Sequence, residues 1–378
     1  MLAFPDNVSS LLKHILFPSP NLGEIRQNVS IVGPFPPPYG GMAVQAKKLA
    51  ALLRESGCVV QEIKTNSNIP PRLHISSRIP VLRSLANIGF FLLNLHKALR
   101  KTNVIYLLTG FFDFFFWITF PALILIKIHK KRVILSARGG KAQDFFEKYK
   151  PVIKPILKQV DVITTPSSFL REAFVKVLQL NPIVIPNVAD VTQFTFKQRN
   201  IFSPKLLVTR SLEEIYDIDC VIRAFKTVHD RFPDARLGIV GDGEERKHLE
   251  HLASRLKLDD CVVFHGSIKH DEIQDLYAQY DIFVNASRFD NFPGSILEAF
   301  ASGLPVVTTK AGGIPYMVED GVTGLVVDVG NCAGLAENVL KLIQQPELGR
   351  SMAQNARKKC ERYSSENIRT LLLSILET

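Results

Sequence analysis

The chain has little of what metal-built or disulfide-built folds need. Its five cysteines (Cys58, Cys220, Cys261, Cys332, Cys360) are odd in number, scattered, and without a CxxC pair. That argues against a disulfide framework or a zinc site and for a reducing compartment. No histidine cluster offers metal-ligand spacing, so neither a metal nor another cofactor is expected. The 22 glycines and 22 prolines are spread out, and there is no low-complexity linker or short-period repeat. A GxGxxG followed by an acid about 20 residues on is missing, which sets aside a dinucleotide-dependent oxidoreductase. Met1–Val8 has no basic n-region and no small-residue cleavage site follows an apolar core, so no signal peptide is expected. Uninterrupted long hydrophobic runs are lacking as well. The nearest, Phe111–Ile128, is broken by Asp113, Pro121 and Lys127 and sits between strand-like runs. It reads as a helix buried between strands, with an aromatic end able to touch lipid, better than as a membrane span.

What is present is apolar content and uneven charge. Of 378 residues 46% are hydrophobic, ample for the cores of two or three domains. The net charge is +10, but residues 1–196 hold 24 basic and 10 acidic side chains, leaving 22 basic and 26 acidic in the remainder. A first half at +14 beside a second at −4 points to an anionic partner for the first half only. Anionic lipid or a phosphate-bearing acceptor fits. Nucleic acid is not expected, because no nucleic-acid motif accompanies the charge. Ser9–Phe17 is a short amphipathic stretch with two open readings, a membrane-surface segment or a terminal helix packed on its own domain.

Strand-like and helix-like runs alternate from end to end. Val29–Val32, Val59–Ile63, Val104–Leu108, Val133–Ser136, Val160–Thr164 and Ile183–Ile185 are strand candidates. The rhythm pauses over Pro186–Pro204 and restarts with Leu206–Thr209, Leu237–Val240, Val262–Phe264, Ile282–Val284 and Val306–Thr308. This is the signature of parallel sheets covered on both faces. Two α/β units are expected, residues 1–195 and 196–364, with a last helix at about 365–378 crossing back to the first.

Each unit opens with a loop suited to phosphate. Pro34–Gly41 follows the first strand and enters a helix, and Gly40-Gly41 lets the backbone approach a ligand closely. Gly241-Asp242-Gly243 follows Leu237–Val240, although a lone GxG is weak. The densest segment is Asp290–Gly324. Asp290 and Glu298 flank Asn291-Phe292-Pro293-Gly294, and Ser295–Ser302 reads as helix, with Pro293 suited to its first turn. A helix start favours phosphate, and carboxylates on either side can grip hydroxyls, a combination that suits a sugar nucleotide. An ordinary αβ unit with two surface acids is the other reading. Gly312-Gly313 lets the chain turn sharply behind the strand that follows.

Several motifs in order, PPPYGGM at 36–42, DVITTPSSFLREAF at 161–174, IPNVADVTQF at 185–194, VGDGEER at 240–246, FHGSIKHDEI at 264–273, LYAQYDIFVNAS at 276–287 and the Asp290–Gly324 segment, closely resemble the retaining family-4 glycosyltransferases. The likeness runs from Ile31 to about Val327. It implies the GT-B architecture, two Rossmann-like doubly wound parallel-sheet domains facing across a cleft, and sugar transfer without a metal. By resemblance, Glu298 accepts from ribose hydroxyls and Asp290 holds donor-sugar hydroxyls. Phe292, Pro293, Gly294 and Ser295 lie beside the sugar and diphosphate, with Gly40 and Gly41 reaching phosphate from the opposite domain. Gly241, Gly266 and Ile268 shape the base pocket, and Arg210 neutralises the diphosphate. Closure brings Gly41 and Arg138 against the donor. A surface ion pair with Glu213 or Glu214 is the other reading of Arg210.

The departures are specific. Ile215 stands where the family usually has a lysine, so phosphate neutralisation falls to Arg210, helix amides and another cation such as Arg138 or Lys141. Asp290 replaces a glutamate, Tyr316 stands where a glutamate is common, and Ser136–Gly140 fills the place of a histidine near the acceptor. Asp217-Ile218-Asp219 could be taken for a metal-binding DxD, but it sits where a helix begins. The expectation is a retaining, metal-independent hexosyltransferase using a UDP- or GDP-sugar. Its acceptor is a lipid-linked or other glycan of surface polysaccharide biosynthesis, met at an anionic membrane surface on the cytoplasmic side. A non-catalytic GT-B subunit and a sugar-nucleotide epimerase are the alternatives.

Overall fold

The computed structural model describes residues 27–37, 40–66, 80–188, 191, 193–269 and 272–377, with the side chains of 80–82 left out. Ser9–Phe17 lies outside the described residues.

Val, Ile and Leu fill both faces of the inner strand-like runs, and such strands need helices on both sides. The first sheet is parallel in the order β2-β1-β3-β4-β5-β6. Its strands are β1 (Asn28–Gly33), β2 (Val59–Lys64), β3 (Val104–Thr109), β4 (Arg132–Ala137), β5 (Val162–Thr165) and β6 (Ile183–Val184). The second runs β12-β11-β10-β7-β8-β9. It is built from β7 (Lys205–Thr209), β8 (Arg236–Val240), β9 (Val262–Gly266), β10 (Ile282–Asn285), β11 (Val306–Thr309) and β12 (Leu325–Val327). Strand β12 is only three residues long, Leu325-Val326-Val327, an apolar run too short to stand out as a strand. In the second sheet Leu206 of β7 pairs with Leu237 of β8 on one side and with Ile282 of β10 on the other. The order therefore reverses between β7 and β10, and ligands of such sheets bind beyond the carboxyl ends of the strands at that reversal.

Phe111–Ile128 forms a π-helical turn, Phe115–Thr119, running into the helix Phe120–Ile128 between β3 and β4. Ala122, Leu123 and Ile126 bury into a cluster with Phe91, Leu95, Phe145 and Phe146. Among the described residues, no helix is long and apolar enough to cross a membrane.

Two chain crossings join the sheets. The first ends on Arg199, whose buried guanidinium donates to the carbonyls of Tyr277, Tyr280, Ser302 and Gly303 and to Asp281 Oδ1 at 2.7–3.1 Å. The second leads into the helix Ser365–Glu377, whose Ile368, Leu372 and Leu376 pack with Val29, Ile31 and Leu49 of the first sheet's layer. Arg132 donates to the carbonyls of Ile375 and Leu376, each at 2.7 Å.

One expectation is corrected. Cys220 and Cys332 form a disulfide across 112 residues of sequence, joining the helices Ile218–Arg231 and Cys332–Gln344. Spacing along the chain could not reveal it, because tertiary packing alone brings those helices side by side. Cys58, Cys261 and Cys360 are buried free thiols.

Candidate active site

A cleft of about 590 Å³ opens between the carboxyl ends of the two sheets. Two helix starts face it from opposite sides, Gly41 of Gly41–Glu55 and Gly294 of Gly294–Ser302. The first amides of a helix have no carbonyl to reach within it, and they carry the positive end of its dipole. Among the described residues a Cβ at Gly40, Gly41 or Gly294 would meet nothing within 4 Å, so each helix start leaves room in front of its backbone. Pro293 sits one position before the helix, as its N-cap, rather than in its first turn.

Arg210, Asp290, Phe292, Pro293, Gly294 and Glu298 all line this cleft from the second domain, and Gly41 and Arg138 line it from the first. Arg210 does not pair with Glu213 or Glu214. Its Nη2 donates to Asp290 Oδ2 at 2.7 Å and its Nε to Asn285 Oδ1 at 3.2 Å, with the guanidinium 5.0 Å above the Tyr216 ring. Asp290 also accepts from the Phe292 amide at 3.1 Å, which bends the chain into the helix start. Gly312 and Gly313 explain themselves here. The Gly313 amide donates to the Asp290 carbonyl at 2.7 Å, and a Cβ on Gly312 would come within 2.3 Å of that oxygen.

Glu298 accepts at Oε2 from the Tyr277 hydroxyl at 2.8 Å, and Tyr277 is also 2.8 Å from Thr209 Oγ1. Complete burial, reinforced by the charge of Glu298, pushes the Tyr277 phenol well above its usual range, so it stays a donor. Ser295 is buried beside this pair, and among the described residues neither its Oγ nor Asn291 Oδ1 has a partner. Unpaired buried polar atoms at a helix start are what a bound polar ligand would satisfy.

Arg138 is buried, and its Nε donates to Ser136 Oγ at 3.1 Å while Nη1 donates to Asn187 Oδ1. Both partners are neutral. Burial pushes its pKa down, only partly offset by Tyr106. Among the described residues no carboxylate pairs with it, and a cation desolvated in this way favours an incoming anion.

Gly40, Ser295, Gly241, Gly266 and Ile268 are not among the residues that line the cleft. Gly241 has φ +136, and a Cβ there would stand 1.9 Å from the Arg210 carbonyl, so glycine is needed for backbone packing. Lys141 lies in an adjoining groove instead. Of the supposed DxD, Asp217 pairs with Arg288 at 3.1 Å and Asp219 with Arg223, so both acids serve helix-end ion pairs. Sequence reasoning missed Tyr277, Asn187, Gln45 and Lys48. Gln45 and Lys48 line the cleft at positions four and seven beyond Gly41, a helical spacing that could have found them. Gln45 also accepts from the Val188 amide at 2.9 Å.

The domains touch across the cleft mouth. Asn291 Nδ2 donates to the Gly139 carbonyl, and the Tyr316 hydroxyl donates to Glu172 Oε2 at 2.6 Å. The Phe169 ring lies 6.0 Å from Phe289 and 6.3 Å from Tyr316.

Residues 192–359 match the profile of the family described as Glycosyl transferases group 1. An N-acetyl-alpha-D-glucosaminyl L-malate synthase of Bacillus anthracis is 30% identical over 230 residues, which is 56% of this chain and 58% of that protein. The chain thus matches little more than half the length of this curated relative. HepE of Anabaena, solved in complex with UDP-glucose, superposes with a TM-score of 0.72 at 19% identity, covering 93% of this chain and 100% of HepE. Sucrose-phosphate synthase of Thermosynechococcus elongatus gives 0.71 at 18% identity, over 93% of this chain and 98% of its own. The two facing parallel sheets are the GT-B fold.

Proposed function

We propose that this chain is a retaining glycosyltransferase that moves a sugar from a nucleotide-linked donor, UDP-linked by analogy with HepE, to an acceptor hydroxyl. The observation that carries the reading is the meeting of two opposed helix starts, Arg210 and Arg138 in one cleft that also holds Asp290 and Glu298. The two amide ends and the two guanidinium groups suit a diphosphate. Glu298, oriented by Tyr277, takes the ribose hydroxyls, and Asp290 takes a hydroxyl of the transferred sugar.

No side chain is assigned as a nucleophile. The acceptor oxygen forms its bond to the anomeric carbon on the face from which the phosphate departs. Its proton passes to the leaving diphosphate oxygen as that carbon–oxygen bond breaks. Arg210 and the Gly294 helix start stabilise the charge growing on the leaving group, the role that electrostatic preorganisation plays in such steps. A metal has no part in this scheme. The acceptor is a lipid-linked oligosaccharide of surface polysaccharide synthesis, met on the inner face of the membrane, as the +14 charge of the first half suggests.

Incubation with common UDP- and GDP-sugars and a membrane extract is expected to release free nucleotide and label the lipid fraction. If no donor releases nucleotide, the non-catalytic sugar-nucleotide-binding alternative, motivated by Ile215 in the usual place of a lysine, replaces this one. A product sugar of inverted configuration at a ring carbon, formed without acceptor, indicates the epimerase.

A further inference from the structure

The helices Pro80–Leu99, Phe120–Ile128 and Ala142–Leu157 cover one face of the first sheet. Their inner sides supply Phe91, Leu95, Leu123, Ile126, Phe145 and Ile153 to a shared core. Their outer sides are also apolar, which a solvated layer does not require. Leu93 is 61% exposed, Trp117 56% and Ile128 70%, with Leu85, Ile124 and Val152 exposed beside them. Trp117, Ile124 and Ile128 are spaced seven and four apart, so they form one stripe. The first two helices meet at their ends, where His96 Nδ1 lies 3.0 Å from His129 Nε2.

The charge has the same address. Residues 80–161 contain 14 Lys and Arg against 4 Asp and Glu, a net +10 that equals the excess of the whole chain. The rest then holds 46 − 14 = 32 basic and 36 − 4 = 32 acidic residues and is neutral. A few of these cations turn away: Arg138 lines the cleft, Arg132 holds the last helix, and Lys127 pairs with Asp161 at 3.0 Å. Lys97, Arg100, Lys101, Lys130, Lys148 and Lys158 are exposed on these helices or just beyond their ends.

We propose that this three-helix face docks on an anionic phospholipid bilayer. The inference rests on the membrane-proximal acceptor proposed above and assigns the surface that reaches it. Aliphatic side chains together with a tryptophan suit the headgroup–acyl boundary, and a basic rim suits anionic headgroups. Each exposed Lys or Arg near such a surface adds attraction that salt screens. Isoleucines and leucines in the centre of the patch give nothing to a nucleic acid, which leaves lipid as the matching partner. The helix Ala142–Leu157 begins beside Gly140. There a groove of about 1160 Å³, lined by Lys141, Phe169 and Val175, shares Gly140, Ile215 and Phe289 with the donor cleft. A lipid-borne acceptor thus has a path from the docked face to the donor.

Flotation of the full chain with phosphatidylglycerol-containing vesicles tests this against pure phosphatidylcholine vesicles. The wild type is expected to float with the anionic vesicles at low salt and to be released at high salt. Ile124→Ser with Ile128→Ser, and separately Lys97→Gln with Lys130→Gln, should weaken flotation roughly tenfold or more. Arg255→Gln with Lys257→Gln, on the other domain, should not. A thermal shift with UDP, retained in every variant, shows that each is folded. If both face variants float like wild type, this face is wrong while the membrane-proximal acceptor stands. If the wild type stays soluble at low salt, both fall. Equal flotation on neutral vesicles, or RNA binding without flotation, also overturns the assignment.

Discussion

Arg210 and Asp290 belong to loops 80 residues apart, yet Nη2 of one meets Oδ2 of the other at 2.7 Å, at the reversal point of the second sheet. Each is largely enclosed, so the pair is a fixed unit rather than a mobile surface contact. The acid positions the base, and the base holds the acid at the helix start. Removing either should misplace the other. Arg210→Ala and Asp290→Ala are each expected to cut turnover roughly a hundredfold or more. The double variant should lose much less than the product of the two, with a coupling of about 1–3 kcal/mol. Additive losses in a double-mutant cycle on kcat/KM would show that the two act separately.

Tyr277 offers a test of the donor end. Tyr277→Phe removes the hydroxyl that orients Glu298 and leaves the packing of the ring. A lost hydrogen bond to a charged group is worth about 1.5–3 kcal/mol, so nucleotide affinity should fall roughly tenfold or more while turnover at saturating donor changes little. Glu298→Ala should abolish the stabilisation by UDP seen in a thermal-shift measurement. Equal UDP affinity in wild type and Glu298→Ala would remove the ribose assignment.

Gly312 has φ +52, and a Cβ there would press on the Asp290 carbonyl at 2.3 Å. Gly312→Ala is therefore expected to shift the Asp290 loop. Turnover should fall steeply, with a loss of fold stability of about 1–2 kcal/mol from the left-handed backbone alone. Gly321→Ala, also at positive φ but with open space around its Cβ, is the control and should leave turnover intact.

The contact between Tyr316 and Glu172 makes closure sensitive to alkaline pH. Desolvation, followed by the hydrogen bond to Glu172 and its charge, raises the Tyr316 phenol to about 12. A raised pKa means that the contribution is complete below the unfolded value of about 10. It is lost as pH climbs from there through about 12. Tyr316→Phe should show at pH 8 the more open average shape, measured by small-angle scattering, that the wild type reaches only above about pH 10. A variant as closed as wild type at pH 8 would show that the hydroxyl has no part in closure.

Chelation is the test of metal independence. Nucleotide release in excess EDTA should match that without it, and a loss restored by magnesium would overturn that part of the mechanism.

Much of the fold is legible in the sequence because its strands are buried on both faces and read as short apolar runs separated by helical spacing. Strand β12 escapes because its apolar run, Leu325-Val326-Val327, is only three residues long and follows the glycine turns of the Asp290–Gly324 segment. Asp290, Glu298 and the Gly294 helix start are legible because one short segment carries them all. Tyr277 is not, since its hydroxyl matters only after the chain folds it beneath Glu298. The same holds for Asn187 beneath Arg138 and for the Cys220–Cys332 bridge. For Gly241 the structure adds a requirement that the sequence does not show, the nearness of the Arg210 carbonyl. Tyr316 stands out as a departure at a donor position. In the structure it reaches across to the opposite domain.

The return of the Ser365–Glu377 helix to the first sheet means that the polypeptide spans the gap between domains twice. One crossing is anchored on the second domain by Arg199, and the other on the first by Arg132. A body held by a single tether can swing and twist freely, whereas two separated tethers leave mainly rotation about the line joining them. Opening and closing would then follow one path, and the pieces that must meet across the mouth, Asn291 with Gly139 and Tyr316 with Glu172, arrive in register each time.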